Sequence, residues 1–128
     1  MDGHHLRDIA LSRALELPGS ELYEFAPEVE SVRVRGKWFM VLMELRGQQI
    51  VNVKTDPEAG AALRDNYEHI LPGYHMNKKH WITLTPGDSL DDALVRELVT
   101  ESYLLIVSKL PKKQRPIVPR ELLTEFEF

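Results

Sequence analysis

Tyr74, His75, Asn77, Lys78, Lys79, His80 and Trp81 place cations, amide donors and aromatic faces within a few consecutive positions of an otherwise acidic chain. These side-chain types suit phosphate and base contacts. Lysine meets phosphate as a point charge, Asn and His donate to its oxygens, and rings stack on bases or sugars. The window from His69 to Trp81 contains no acid. A hairpin carrying such residues would be narrow enough to approach a groove of the double helix. A second reading stays open for the same residues: Trp81 as the core residue of an alternating strand, and the two lysines as a solvated turn.

Other chemistries find less support. His75 and His80 lie five apart without a third ligand at a recognisable spacing, whereas a metal site needs three or four converging donors with support behind them. The chain has no cysteine, which excludes disulfides and thiol nucleophiles and fits a reducing compartment. Gly-rich phosphate loops, nucleophile elbows and paired-histidine zinc helices are absent from the sequence. Asp88, Asp91 and Asp92 cluster where a helix start would favour acids. Ser102-Tyr103 falls inside a helix, where a hydroxyl packs or bonds back to the preceding turn. The expectation is a protein that is not an enzyme and holds no metal or cofactor.

The elements that must position these residues follow from periodicity. Leu6, Ile9, Ala10, Ala14 and Leu17 recur at helical spacing over residues 4–17, and Pro18-Gly19 stops the run. Val32 and Val34 alternate with Arg33 and Arg35 as a strand with one wet face. After a turn at Gly36-Lys37, the run Trp38–Met43 is apolar throughout and predicts a strand covered on both faces. A turn at Arg46–Gln48 leads into Gln49–Lys54. Asp56-Pro57-Glu58 is a helix start: an oxygen-bearing cap, a proline where the N–H would be unpaired, then an acid. That helix ends near Tyr67. His80–Thr85 alternates as a strand, with Pro72-Gly73 opening a hairpin before it. The longest helix is expected to be capped by Ser89, with Leu90, Leu94, Leu98 and Leu105 on its buried side. Pro111 ends it.

The order α-β-β-β(-β)-α-β-β-α implies an α+β domain, an antiparallel twisted sheet with helices packed on one face, over residues 1–110. Residues 111–128 form a tail with three prolines. Its last positions include Leu122, Leu123, Phe126 and Phe128, apolar enough to dock on a protein partner. Net charge is −4, which argues against indiscriminate coating of nucleic acid. Residues 109–120 nevertheless hold Lys109, Lys112, Lys113, Arg115 and Arg120 with no acid. No apolar run reaches membrane-spanning length and the first residues lack a signal-peptide pattern, so a cytoplasmic location away from membranes is expected.

Leu17-Pro-Gly19, Gly36-Lys-Trp-Phe39, Asn52-Val-Lys54, Ser102-Tyr103 and above all the block Pro72–Trp81 together resemble the MmcQ/YjbR family, over roughly residues 4–110. The resemblance implies a CyaY/frataxin-like fold and a DNA-binding role through a double-wing arrangement. It makes Lys37, Lys54 and the segment Tyr74–Trp81 the surface that would meet double-stranded DNA. A frataxin-like iron role is not expected here, because the first helix carries only Asp8 and Glu16 as acids, too sparse for an acidic ridge. The alternative is a domain that binds a protein or ligand without nucleic acid. In either case the expected state is a monomer or weak dimer.

Overall fold

The computed structural model describes residues 1–123. Helix α1 (Gly3–Glu16) is followed by four consecutive strands: β1 (Ser20–Ala26), β2 (Val29–Val34), β3 (Lys37–Leu45) and β4 (Gln48–Lys54). Helix α2 (Pro57–Asn66), strands β5 (Ile70–Pro72) and β6 (Trp81–Leu84), and the long helix α3 (Asp92–Lys109) complete the body. A 3-10 turn at Lys112–Gln114 and a short helix α4 (Arg120–Leu123) lie beyond it. The expected element order is found, with the fourth strand of the first run present.

The strands form one six-stranded sheet in the order β1-β2-β3-β4-β6-β5, with every neighbouring pair antiparallel. Two hairpins inside it are tight because both central residues are left-handed: Arg35 and Gly36 have φ of 50° and 76°, Arg46 and Gly47 of 53° and 81°. This is the turn whose twist matches that of paired strands, and glycine in its second position adopts it without steric cost. The first turn is therefore Arg35-Gly36, one residue earlier than the sequence placed it. Lys37 already belongs to β3, opposite Val34.

Register explains the core. Val32, Met40, Val53 and Ile82 are successive cross-strand partners, as are Leu42, Val51 and Leu84, so both rows share one face. That face packs against Leu6, Ala10 and Ala14 of α1 and Val95, Leu98, Val99 and Tyr103 of α3. Helix α2 closes over β6 through Gly60, where an added Cβ would stand 2.7 Å from Thr55 Cγ2 and 3.5 Å from Ile82 Cγ2. All three long helices thus lie on one side of the sheet.

Three details depart from the pattern read in the sequence. A bulge in β3 lets Arg33 face Trp38 while Val32 faces Met40, so Phe39 is an extra residue. Phe39 and Met40 are both fully buried, and the Phe39 ring meets Tyr103 edge-on at 5.4 Å. Second, the cap of α3 is Asp91, whose Oδ1 accepts from Leu94 N at 2.8 Å. Ser89 instead bonds His69, Oγ to Nδ1 at 2.6 Å. Third, the buried stripe of α3 runs through Val95, Val99, Ser102, Tyr103 and Ile106, leaving Leu94 and Leu105 only half-buried. The leucine spacing misled because this helix is apolar on more than one side.

The tail folds back rather than leading away. Val118 and Leu122 pack on the core, and Pro116 lies where a Cβ on Gly19 would meet it at 3.3 Å. Phe126 and Phe128 lie outside the described residues.

Candidate functional site

The loop between β5 and β6 begins from a short ladder, since the two strands pair only at Ile70–Leu84, Leu71–Thr83 and Pro72–Ile82. The chain then turns back over the sheet face opposite the helices. Tyr74 N donates to Thr83 Oγ1 at 2.7 Å, and Thr83 Oγ1 donates to Asn52 Oδ1 at 2.5 Å. Asn52 Nδ2 reaches Tyr74 O at 3.4 Å. Asn52 and Thr83 are both fully buried, so this polar group is worth its burial only while the loop stays seated on it.

Asn77 shapes the apex. Its Oδ1 accepts from Lys79 N at 2.9 Å and His80 N at 3.2 Å, and its carbonyl accepts from Trp81 N at 3.0 Å. Lys78 Nζ closes the loop on Gly73 O at 3.0 Å. His75 takes a left-handed φ of 57° and its ring lies 4.1 Å from that of Tyr74. Tyr74 and His80 are half-buried, His75, Asn77, Lys78 and Lys79 are exposed, and Trp81 is 9% exposed. The segment is a covering loop with a cationic apex, not a projecting two-stranded wing.

Its last residues run into the end of β4. Trp81 is the cross-strand partner of Lys54, and His80 O accepts from Thr55 N at 2.9 Å. Here Ser102, from the middle of α3, makes two bonds at once. It donates to Phe39 O at 2.5 Å and accepts from Lys54 N at 2.8 Å. Beside it Tyr103 donates to Pro18 O at 2.6 Å, and burial pushes its phenol up to about 12, so it stays protonated as a donor. Ser102-Tyr103 thus ties α3 to β3, to β4 and to the Leu17-Pro-Gly19 turn.

The Lys54 side chain stands partly buried at this end. Its ammonium is held below the ordinary lysine value, first by burial and then by the charges of Lys109 and Lys37. Three cations from the start of β3, the end of β4 and the last turn of α3 therefore share one neighbourhood. The ion pairs among the described residues are His5–Asp92, Arg7–Glu30, Arg13–Glu16 and Arg96–Glu16; none includes these lysines. Lys54 is the partly buried member of this like-charged group, and Lys37 and Lys109 are exposed.

The structure accordingly brings Lys37, Lys54, His80 and Trp81 to one end of the sheet. It holds Tyr74 against Asn52 and Thr83, and it leaves His75, Lys78 and Lys79 at the apex. Sequence reasoning missed Lys109 as a member of this group, although the acid-free window 109–120 was its signal. It also missed an aromatic patch on the outer face of β1–β3. There the Arg33 guanidinium lies 4.0 Å from the Tyr23 ring centre, and Phe25 meets Trp38 edge-on at 4.9 Å. Among the described residues no cluster of three or more His, Cys, Asp or Glu is placed to hold a metal, and no helix is long and apolar enough to cross a membrane. Two open clefts lie on the helix side, one of about 910 Å³ near Arg13, Arg96 and Leu122 and one of about 350 Å³ between α2 and α3. Neither is lined by the basic residues above.

Comparison with known proteins places this arrangement. The YjbR family model matches residues 15–105. An uncharacterized protein of Escherichia coli O157:H7, YbdF, is 43% identical over 116 residues, covering 90% of this chain and 95% of its own. The uncharacterized YjbR of Escherichia coli K12 is 32% identical over 87 residues, 68% of this chain and 74% of its own. Among solved structures, Deinococcus radiodurans protein DR2400, with a domain described as DUF419, superposes with a TM-score of 0.77 at 30% identity. That superposition covers 95% of this chain and 88% of the other. A Pseudomonas syringae protein does so with a TM-score of 0.62 at 26% identity, covering 82% and 98%.

Proposed function

The chain belongs to the YjbR family, and from that premise we propose that it is a non-catalytic module that binds the phosphate backbone of double-stranded DNA. The observation that carries this reading is Lys54, partly desolvated beside Lys37 and Lys109, with no acid among the described residues in an ion pair with any of them. Phosphate oxygens would supply the missing negative charge. The exposed Lys78 and Lys79 would take neighbouring phosphates, and the half-buried Tyr74 and His80 would offer ring edges beside them. One sheet with helices at both ends of the strand run also supports a CyaY/frataxin-type arrangement as the finer description of the fold.

Titration of a labelled duplex at several salt concentrations tests the reading. Each phosphate neutralised contributes a log–log slope of about −0.9, so contacts by Lys37, Lys54 and the loop apex should give about −3 to −4. Lys37→Ala with Lys54→Met should flatten that slope by about 2. Affinity that does not change with salt, or a double variant indistinguishable from the parent, would sink the reading.

A further inference from the structure

The acid-free stretch that follows α3 has no part in the reading above, yet the fold returns it to the same end of the sheet. Three separate ties hold it. Arg115 donates from Nε to Leu110 O at 2.9 Å and from Nη2 to Ser108 O at 2.8 Å. Arg35, in the β2–β3 turn beside Lys37, donates from Nε to Gln114 O at 2.8 Å. Gln114 N closes the 3-10 turn on Pro111 O at 2.8 Å. Lys112 and Lys113 sit in that turn, both exposed, and neither side chain takes part in these ties.

A structural role does not call for these two lysines. Cations near a helix C-terminus complement its carbonyls, but the Arg115 guanidinium already occupies two of them. Lys109 lies within electrostatic reach of Lys54, so the fold accumulates repulsion here instead of relieving it. The turn at Arg35-Gly36 and the turn at Lys112–Gln114 are bonded to each other, which brings Lys112 and Lys113 to the end of the sheet where β3 begins at Lys37.

We propose that Lys112 and Lys113 form a second phosphate-contacting strip of the DNA-binding surface, held in position by Arg115 and Arg35. The inference rests on the DNA reading of the Lys54 site. Its contacts go to phosphates and not to base edges, so their loss weakens binding equally across sequences.

The test uses the full chain and a labelled duplex. Lys112→Ala with Lys113→Ala should make the salt slope shallower by about 1.8, two contacts at about 0.9 each, while leaving the melting temperature unchanged. Arg46→Gln serves as control, because Arg46 occupies the β3–β4 turn at the opposite end of those strands from Lys37 and Lys54. It should leave the slope as it is. If the parent binds, Lys37→Ala/Lys54→Met weakens it and Lys112→Ala/Lys113→Ala does not, the strip is refuted and the Lys54 reading stands. If Arg46→Gln flattens the slope as much as the lysine pair, the effect is one of net charge and the strip is likewise refuted. Absence of salt-dependent binding by the parent overturns both.

Discussion

Ser102 and Lys54 divide the work at the basic end. The fully buried Ser102 hydroxyl spends its donor on Phe39 O and an acceptor site on the N–H of the partly buried Lys54. Ser102→Ala would leave a buried carbonyl and a buried amide without partners and should cost about 2–3 kcal/mol. Urea unfolding would measure this, and a loss below a few tenths would show that the bonds contribute nothing. Lys54 acts in the opposite sense. Its folded pKa is lowered from 10.5, so in the window just below that value the unfolded chain holds the extra proton. Stability therefore rises with pH through that window, and below it the repulsion is present in full. Lys54→Met should accordingly raise the melting temperature at neutral pH, with the gain shrinking as pH approaches 10.5. A variant that melts at or below the parent at pH 7 would contradict the assignment.

Among the elements, the β5–β6 loop depends on what lies under it. Asn52 and Thr83 are buried by Tyr74, and each is paired with the other. Asn52→Ala would leave the buried Thr83 hydroxyl proton without its acceptor and loosen the loop, which then keeps the Tyr74 N–Thr83 Oγ1 bond, at a cost of about 1–3 kcal/mol. Hydrogen exchange at the Tyr74 amide should quicken while that at α1 keeps the protection set by global stability; uniform quickening would mean that loop and body open together. Elements with a strong local period were legible in the sequence. Leu6, Ala10 and Ala14 mark α1, and Asp56-Pro57 starts α2 with Asp56 Oδ2 accepting from Glu58 N and Ala59 N, both at 3.2 Å. Strand β1 was not legible, because as an edge it leaves Leu22, Tyr23 and Phe25 exposed and so shows no buried period. The bulge at Phe39 escaped because alternation cannot show two consecutive residues turned to one side. The covering loop escaped because its seat joins Asn52 to Thr83, 31 positions apart.

For the whole molecule, net charge and local charge point in opposite directions. The chain carries −4, yet one end of the sheet gathers Lys37, Lys54 and Lys109, and Arg35 and Arg115 bond the chain around the Lys112–Gln114 turn that follows. The sequence showed the two basic windows as separate. The return of the chain after α3 ties the second window to the Arg35 turn, and it depends on backbone carbonyls of Ser108, Leu110 and Gln114 whose bonding has no residue signature. The segments that mark the family carry both kinds of residue, those that hold the fold and those proposed to meet DNA. Pro18, Phe39, Asn52, Ser102, Tyr103 and Asn77 are engaged within the fold, and Lys54 joins it through its backbone, bonded to Ser102 and paired with Trp81. Lys78 bonds back to Gly73 O, but Lys37, Lys54 and Lys79 can be exchanged without touching the hydrogen bonds described above. Such a surface is free to drift during descent: two relatives can keep the same signature and superpose closely while having come to prefer different partners.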